Sequence, residues 1–362
     1  MRLPKKFFRN SKSRAKIVSK EAALKMLWVT DPWHTLDHPK DTSLRLMEEA
    51  LRLQSKGTPL RTYWCDVKSV RIEKGRVLCT AHELGRVHPG RSSQAFDWKT
   101  IKPREPHFFD RILYRTDPPV DHAYLHPLQM LHLGAEKNKT TQIINPSLTL
   151  ALGNEKFEAT RLRAFTPPCV VSSMLSTLIE FGMSEGKSVL KPLFQAQSKG
   201  VELLEWETSA QIERSRDILK TATQQETQPV ILQRYLAKIQ DGEQRLWFLD
   251  GKLLACVRKV PKKGSFRIDM DRGGTLEKTR LNSKEQRAAR AIGTLLSQHR
   301  IRLAAVDLID GLITDFNHTS PGLLTPMEAL LERNLAREVI QALLKPWSGV
   351  RAAKPPGAIV YQ

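Results

Sequence analysis

The chain has 362 residues, 40% of them hydrophobic and 27% charged, the composition of a soluble globular protein long enough for two or three packed units. No apolar stretch approaches the roughly 18–20 residues of a membrane span, and the four cysteines (Cys65, Cys79, Cys169, Cys256) form no CxxC pair, which excludes a zinc ribbon or disulfide framework and fits a reducing cytosol. A net charge of +20 attracts anions such as nucleotide phosphates and carboxylates; with no zinc-finger spacing or RNP-like aromatic motif, nucleic-acid binding has no support beyond that charge.

Residues 1–24 are basic, with Glu21 the only acid, and are expected to form a disordered tail rather than a transit peptide. An N-terminal α/β domain is expected over 25–142. Its first strand is the apolar run Lys25-Met-Leu-Trp-Val29, closed by Asp31-Pro32. A helix over 41–54 carries Leu44, Met47, Leu51 and Leu46, Ala50, Leu53 at helical spacing. The charged, Pro- and Gly-containing stretch 71–106 reads as strands and loops. Arg111 to Tyr114 reads as a strand ending at Arg115-Thr-Asp-Pro-Pro119.

A middle domain is expected over 143–232, opening at Ile143-Ile-Asn-Pro146. It contains a helix over 154–165, a helix over 174–182 and flanking strands at Val170-Val171 and 188–192. Strand 188–192, the polar loop 194–200 and Val201-Glu-Leu-Leu204 then make a hairpin with a long tip. The last domain is expected over 233–346, with a tail over 347–362. Ser283-Lys-Glu-Gln286 reads as a capping box, and Thr325-Pro-Met-Glu328 repeats the device with proline at the first helical position.

Between these helices lies a β-hairpin carrying acids, with strands at 303–309 and 312–317 and Asp310-Gly311 at the turn. Asp315 and Asn317 are two apart and share a strand face. A strict two-residue turn would pair Asp307 with Thr314 and put Asp307 and Asp315 on opposite faces. A three-residue loop with a bulge pairs Asp307 with Asp315, and all three oxygen ligands converge. Such oxygen donors suit Mg²⁺; the plain alternative is a turn with solvated acids on an edge strand.

Asp307-Leu-Ile-Asp-Gly-Leu-Ile-Thr-Asp-Phe-Asn-His-Thr-Ser-Pro321 resembles the metal-binding hairpin of the bacterial glutathione synthetases, which have an Asp, then Thr-Glu-Ile-Asn, then Thr-Ser-Pro at the same intervals. Asp31-Pro32 with Lys40-Asp41, Arg115-Thr-Asp-Pro-Pro-Val-Asp121, Asn154-Glu-Lys-Phe157, Val189-Leu-Lys-Pro-Leu193 and Gln233-Arg-Tyr-Leu236 match further family segments in the same order. The resemblance implies an α/β (α+β) ATP-grasp fold with an N-terminal pre-ATP-grasp domain, a lid and a C-terminal antiparallel sheet, ATP lying between the last two. It implies Lys156 and Lys191 on the nucleotide, Gln233, Tyr235 and Leu236 around adenine, and Glu243 on the ribose. Asp307, Asp315 and Asn317 would hold Mg²⁺, or Mn²⁺ in its place. Arg245, Arg258 and Arg267 would surround the phosphates and reacting centre. Arg115, Asp117, Gly273, Gly274 and Ser320 would meet the substrates.

The implied activity is cytoplasmic ligation of γ-glutamylcysteine and glycine through an acyl phosphate, with release of ADP and phosphate. Its substrates are amino-acid or dipeptide molecules, and the implied assembly is a homo-oligomer, without a membrane partner. The chain departs from the family in two loops. Phe194-Gln-Ala-Gln-Ser-Lys-Gly200 stands where the family has a glycine-rich phosphate cover, so Lys199 is the residue left to neutralise phosphate. Arg267-Ile-Asp-Met-Asp-Arg-Gly-Gly274 places Asp269 where the family has asparagine. Two alternatives therefore stand beside the synthetase: an ATP-grasp ligase for another acid and amine such as a peptide, and a nucleotide-binding pseudoenzyme.

Overall fold

The computed structural model describes residues 22–87, 96–194, 200–268, 270 and 273–347. Most of the basic tail, the C-terminal tail from 348, the 195–199 stretch with Lys199, and Asp269 lie outside the described residues.

The chain opens with β1 (Leu24–Thr30), α1 (Thr42–Ser55) and β2 (Leu60–Asp66), the α/β unit expected from the first strand and helix. Asp41 caps α1, its Oδ1 accepting from the Leu44 amide at 2.8 Å, which satisfies one of the free amides at a helix start. A short ribbon of β3 (Arg71–Glu73) and β4 (Arg76–Leu78) follows, then β5 (Ala81–Val87), β6 (Phe96–Thr100), β7 (Arg111–Tyr114), α2 (His122–Ala135) and β8 (Gln142–Ile144). The six-stranded sheet has the order β6-β5-β2-β1-β7-β8. At its centre β1 runs parallel to both β2 and β7. Met26 and Trp28 enter one core while Leu27 and Val29 enter another. A strand covered on both faces reads as a continuous apolar run.

After the short helix α3 (Ser147–Leu152), the helix expected over 154–165 is instead a 3₁₀ segment, Glu158–Phe165, broken at Leu162. Thr166 donates its hydroxyl to the carbonyls of Ala159 and Leu162, a side-chain bond that competes with the helical ladder. The middle unit, the expected lid, comprises β9 (Cys169–Ser172), α4 (Leu175–Glu185), β10 (Lys187–Pro192), β11 (Glu202–Glu205), α5 (Ser209–Ala222) and β12 (Val230–Arg234). Its antiparallel sheet has the order β11-β10-β12-β9. Leu178, Leu190, Leu204, Trp206, Leu219 and Leu232 bury one face beneath α4 and α5, which leaves the alternate residues of β10 and β12 to the other face.

The last sheet, order β15-β14-β13-β16-β17, is antiparallel throughout, as expected. It is built from β13 (Glu243–Leu249), β14 (Lys252–Val260), β15 (Thr275–Lys278), β16 (Leu303–Ile309) and β17 (Leu312–Asn317), with α6 (Ser283–Gln298) between β15 and β16. Asn282, one residue before the expected Ser283, caps α6 and exchanges bonds with Glu285 in a full capping box.

The second expected box does not form. Helix α7 (Leu324–Leu331) starts before Thr325, its cap residue Leu323 is left-handed at φ 69°, and Pro326 is the third residue rather than the first. The Leu324 amide bonds the Thr42 hydroxyl at 3.2 Å instead, so the start of α7 is set by its contact with α1. With α8 (Leu335–Leu343) it packs onto the N-terminal unit, where Leu335, Val339, Ile340 and Leu343 share one core with Leu44, Met47 and Met26. The first and last thirds of the chain are thus joined by buried apolar surface.

Candidate active site

A cavity of about 810 Å³ opens where the three units meet. One wall carries Lys191, Gln233, Tyr235 and Leu236 from the lid sheet and the turn after it. The opposite wall carries Glu243, Arg245, Lys259, Asp307, Asp315 and Asn317 from the last sheet. Asp37, Asp41, Arg115 and Asp117 close the N-terminal side, beside Ser320.

The hairpin geometry answers the register question. Asp310 and Gly311 both have positive φ, 50° and 73°, the conformation of a two-residue hairpin turn, and Ile309 pairs with Leu312 and Leu308 with Ile313. The register then shifts so that Asp307 faces Asp315 and Ala305 faces Asn317. Convergence therefore comes from a two-residue turn followed by a bulge at Thr314, not from a longer loop. The extra residue is itself bonded. The Thr314 hydroxyl donates to Glu243 Oε1 and to the Asp307 carbonyl, while its own carbonyl accepts from Lys191 Nζ at 2.6 Å.

Most of the buried charges are paired, Lys191 and Arg115 being held by neutral acceptors instead. Arg245 donates Nε and a terminal nitrogen to the two oxygens of Asp307 at 2.6 and 2.7 Å. Lys259 Nζ lies 2.8 Å from both Asp307 Oδ2 and Glu243 Oε2. Lys156 Nζ is 2.8 Å from Asp315 Oδ1, and Lys191 also donates to Gln233 Oε1 at 3.0 Å. Burial alone would raise the Asp307 pKa, but Arg245 and Lys259 outweigh it and hold the carboxyl well below the usual range. Burial would likewise lower Lys156, yet Asp315 reverses this and raises it. Lys191, next to a carbonyl and an amide, is lowered by burial.

On the N-terminal side Arg115 is 4% exposed. It donates to Ser43 Oγ at 3.1 Å and to the Pro321 carbonyl at 3.0 Å. Burial lowers its pKa and raises that of Asp117.

Of the residues singled out in the sequence, Lys156, Lys191, Gln233, Tyr235, Leu236, Glu243, Arg245, Asp307, Asp315, Asn317, Arg115, Asp117 and Ser320 all line this cavity, and so does Arg267. Arg267 also reaches Glu202 of the lid at 3.1 Å. Arg258, Gly273 and Gly274 are absent from the lining. Arg258 pairs with Gln244, one residue out of phase with Arg245 and hence on the other face of the sheet. Lys259 takes the cavity side instead.

Two contributors escaped sequence reasoning. Lys259 depends on strand parity, which a bulge at Trp247/Phe248 shifts between the β13–β14 turn and the site. Glu155 Oε1 accepts from the backbone amides of His318 and Thr319 and from the Thr319 hydroxyl, at 2.6, 2.8 and 2.9 Å. That bond set anchors the segment following Asn317, and its only sequence signal is a place between Asn154 and Lys156.

Oxygen donors from two carboxylates and an amide, beside lysines and arginines that can take phosphate oxygens, fit a divalent cation and a nucleoside triphosphate. The fold agrees. An ATP-grasp ligase, PsnB, solved with a minimal precursor, aligns over 88% of this chain and 98% of its own with a TM-score of 0.56 at 15% identity. The D-cycloserine synthetase DcsG aligns over the same shares with a TM-score of 0.59 at 17% identity. The architecture is that of the ATP-grasp ligases.

Residues 24–150 match the N-terminal domain of prokaryotic glutathione synthetase and residues 155–332 match its ATP-grasp domain. A glutathione synthetase of Nostoc sp. is 31% identical over 323 residues, spanning 88% of this chain and 97% of the relative. The chain belongs to the prokaryotic glutathione synthetase family. It is accordingly an ADP-forming ATP-dependent ligase of glutathione synthetase type, using ATP and a divalent metal. Among the described residues no helix is long and apolar enough to cross a membrane.

Proposed function

We propose that the chain joins the cysteine carboxylate of γ-glutamylcysteine to the amine of glycine, at the expense of ATP. The carrying observation is the convergence of Asp307, Asp315 and Asn317 with Lys156, Lys191 and Arg245 on one cavity between the lid and the last sheet. Asp307, Asp315 and Asn317 would hold Mg²⁺, with Mn²⁺ able to replace it, and the ion when bound neutralises charge on the phosphate oxygens. The family reading extends to a homo-oligomer working in the cytoplasm.

The reaction must overcome the poor leaving group of a carboxylate. Transfer of the γ-phosphoryl group to the carboxylate oxygen gives an acyl phosphate and ADP. The glycine nitrogen attacks that carbonyl, phosphate leaves, and the ammonium proton is lost to water. Lys156 and Lys191, whose ammoniums meet β17 at Asp315 and Thr314, suit phosphate oxygens as point charges. Arg245, whose fork holds Asp307, brings a fixed positive charge suited to the transferring group. Tyr235 and Leu236 lie where the lid strand β12 ends, a position suited to adenine, and Glu243 is the acid for the ribose. Arg115, Asp117 and Ser320 face the cavity from the other side and suit the peptide substrate. The lid excludes water from the acyl phosphate.

A heavy-oxygen label in the cysteine carboxylate of γ-glutamylcysteine tests this chemistry. One labelled oxygen per turnover should appear in released phosphate. Unlabelled phosphate with amide formation would reject the acyl phosphate.

A further inference from the structure

The candidate metal ligands are already neutralised by the protein. Asp307 has both oxygens engaged, Oδ1 by Arg245 and Oδ2 by Arg245 and Lys259, and its side chain is 3% exposed. Lys259 is held as tightly, lying between Asp307 and Glu243 with 9% of its side chain exposed. Asp315 is taken on Oδ1 by Lys156. Across the cluster, Lys156, Lys191, Arg245 and Lys259 balance Glu155, Glu243, Asp307 and Asp315. A divalent cation arriving alone would therefore meet a charge-balanced site. To bind both carboxylates it would have to compete with Lys156 for Asp315 and, at Asp307, strip a buried carboxylate of its partners and leave a buried ammonium or guanidinium without its anion, which is costly.

A triphosphate changes this balance. Its oxygens give Lys156, Lys259 and Arg245 new anionic partners, and it brings additional oxygen ligands for the cation.

We propose that Lys259 and Lys156, with Arg245, are resident counter-cations of the metal-ligand carboxylates, so that a divalent ion binds this site only together with the nucleotide. The inference rests on Asp307 and Asp315 being the metal ligands, and goes beyond that reading by assigning Lys259 a gating role. Nucleotide and metal are then coupled ligands, each raising the other's affinity by the same factor. Lys259 acts on the metal through Asp307 and is a positioning residue.

The test is a Mn²⁺ titration of the full chain followed by electron paramagnetic resonance of the free ion, with and without a non-hydrolysable ATP analogue. Each run is referred to the same mixture without protein. Wild type should take up Mn²⁺ with the analogue and leave it free without. Lys259→Met, which leaves Arg245 alone on Asp307 and gives the cluster a net negative charge, should gain binding of bare Mn²⁺ by about tenfold or more, in the range of typical coupling factors. Lys156→Met, which frees Asp315 instead, should gain similarly and serves if the first variant does not fold. Adding Asp307→Asn to Lys259→Met should remove the gain. Equal Mn²⁺ uptake by wild type with and without the analogue would overturn the proposal, as would unchanged bare-ion affinity in both folded lysine variants. Absence of Mn²⁺ uptake in every condition would overturn the metal assignment itself.

Discussion

Asp307 is both a candidate metal ligand and the anion that makes burial of Arg245 and Lys259 tolerable. Asp307→Asn should lower turnover by on the order of a hundredfold or more, because a group that supports transition-state charge is lost. It should also destabilise the fold by about 3–5 kcal/mol, because buried Arg245 loses its anion and Lys259 loses one of its two. Parallel thermal melts and rate measurements check both effects, and a variant that melts like wild type would contradict the ion cluster. Lys191 gives a pH signature. Its pKa is lowered from 10.5 by burial, so its charge is lost at lower pH than that of an ordinary lysine. The KM for ATP should therefore rise in the alkaline range before pH 10.5 is reached. In Lys191→Met the KM should start high and lose this pH dependence. Asp315 and Asn317 were legible in the sequence because two residues apart on a strand means one face. Lys259 was not, because one bulge exchanges its parity with Arg258.

At the scale of elements, the hairpin of β16 and β17 decides the site. A Cβ on Gly311 would lie 2.8 Å from Lys284 Cγ, at a φ of +73° that side chains rarely adopt. Gly311→Val should therefore cost about 1–3 kcal/mol and loosen the pairing of Asp307 with Asp315. Chemical denaturation measures the first effect and the KM for MgATP reports the second. Sequence alone left the turn and bulge undecided, since Asp310-Gly311 is compatible with either loop length. Helix α6 was legible from its apolar spacing, its cap displaced by one residue because Asn282 bonds two amides. The 3₁₀ segment at Glu158–Phe165 was read as a helix because its side-chain competition comes from Thr166, beyond the expected end.

Over the whole molecule, α1 and α8 bridge the ends of the chain. Glu49 of α1, 1% exposed, meets Arg52 and Arg45 on its own helix and Asn334 and Arg337 across the junction. Burial opposes its charge, but Arg52, Asn334 and Arg45 outweigh it and lower its pKa from 4.5 to about 2. A depressed carboxylate contributes its stability above the ordinary value, and the contribution is lost as pH falls through about 2. Glu49→Gln should therefore be less stable than wild type at neutral pH and lose less between pH 4.5 and 2, which acid-series melts will show. The order of the three sheets was legible from motif order. The return of α7 and α8 to the N-terminal unit was not, because an amphipathic helix shows that it buries a face and not which surface it buries it against.

Amide synthesis driven by ATP is tested by ADP release with MgATP, γ-glutamylcysteine and glycine, the product being weighed by mass spectrometry. One glutathione should form for each ADP, with both substrates required. ADP release without glutathione, or no turnover by folded protein that binds ATP, would contradict it.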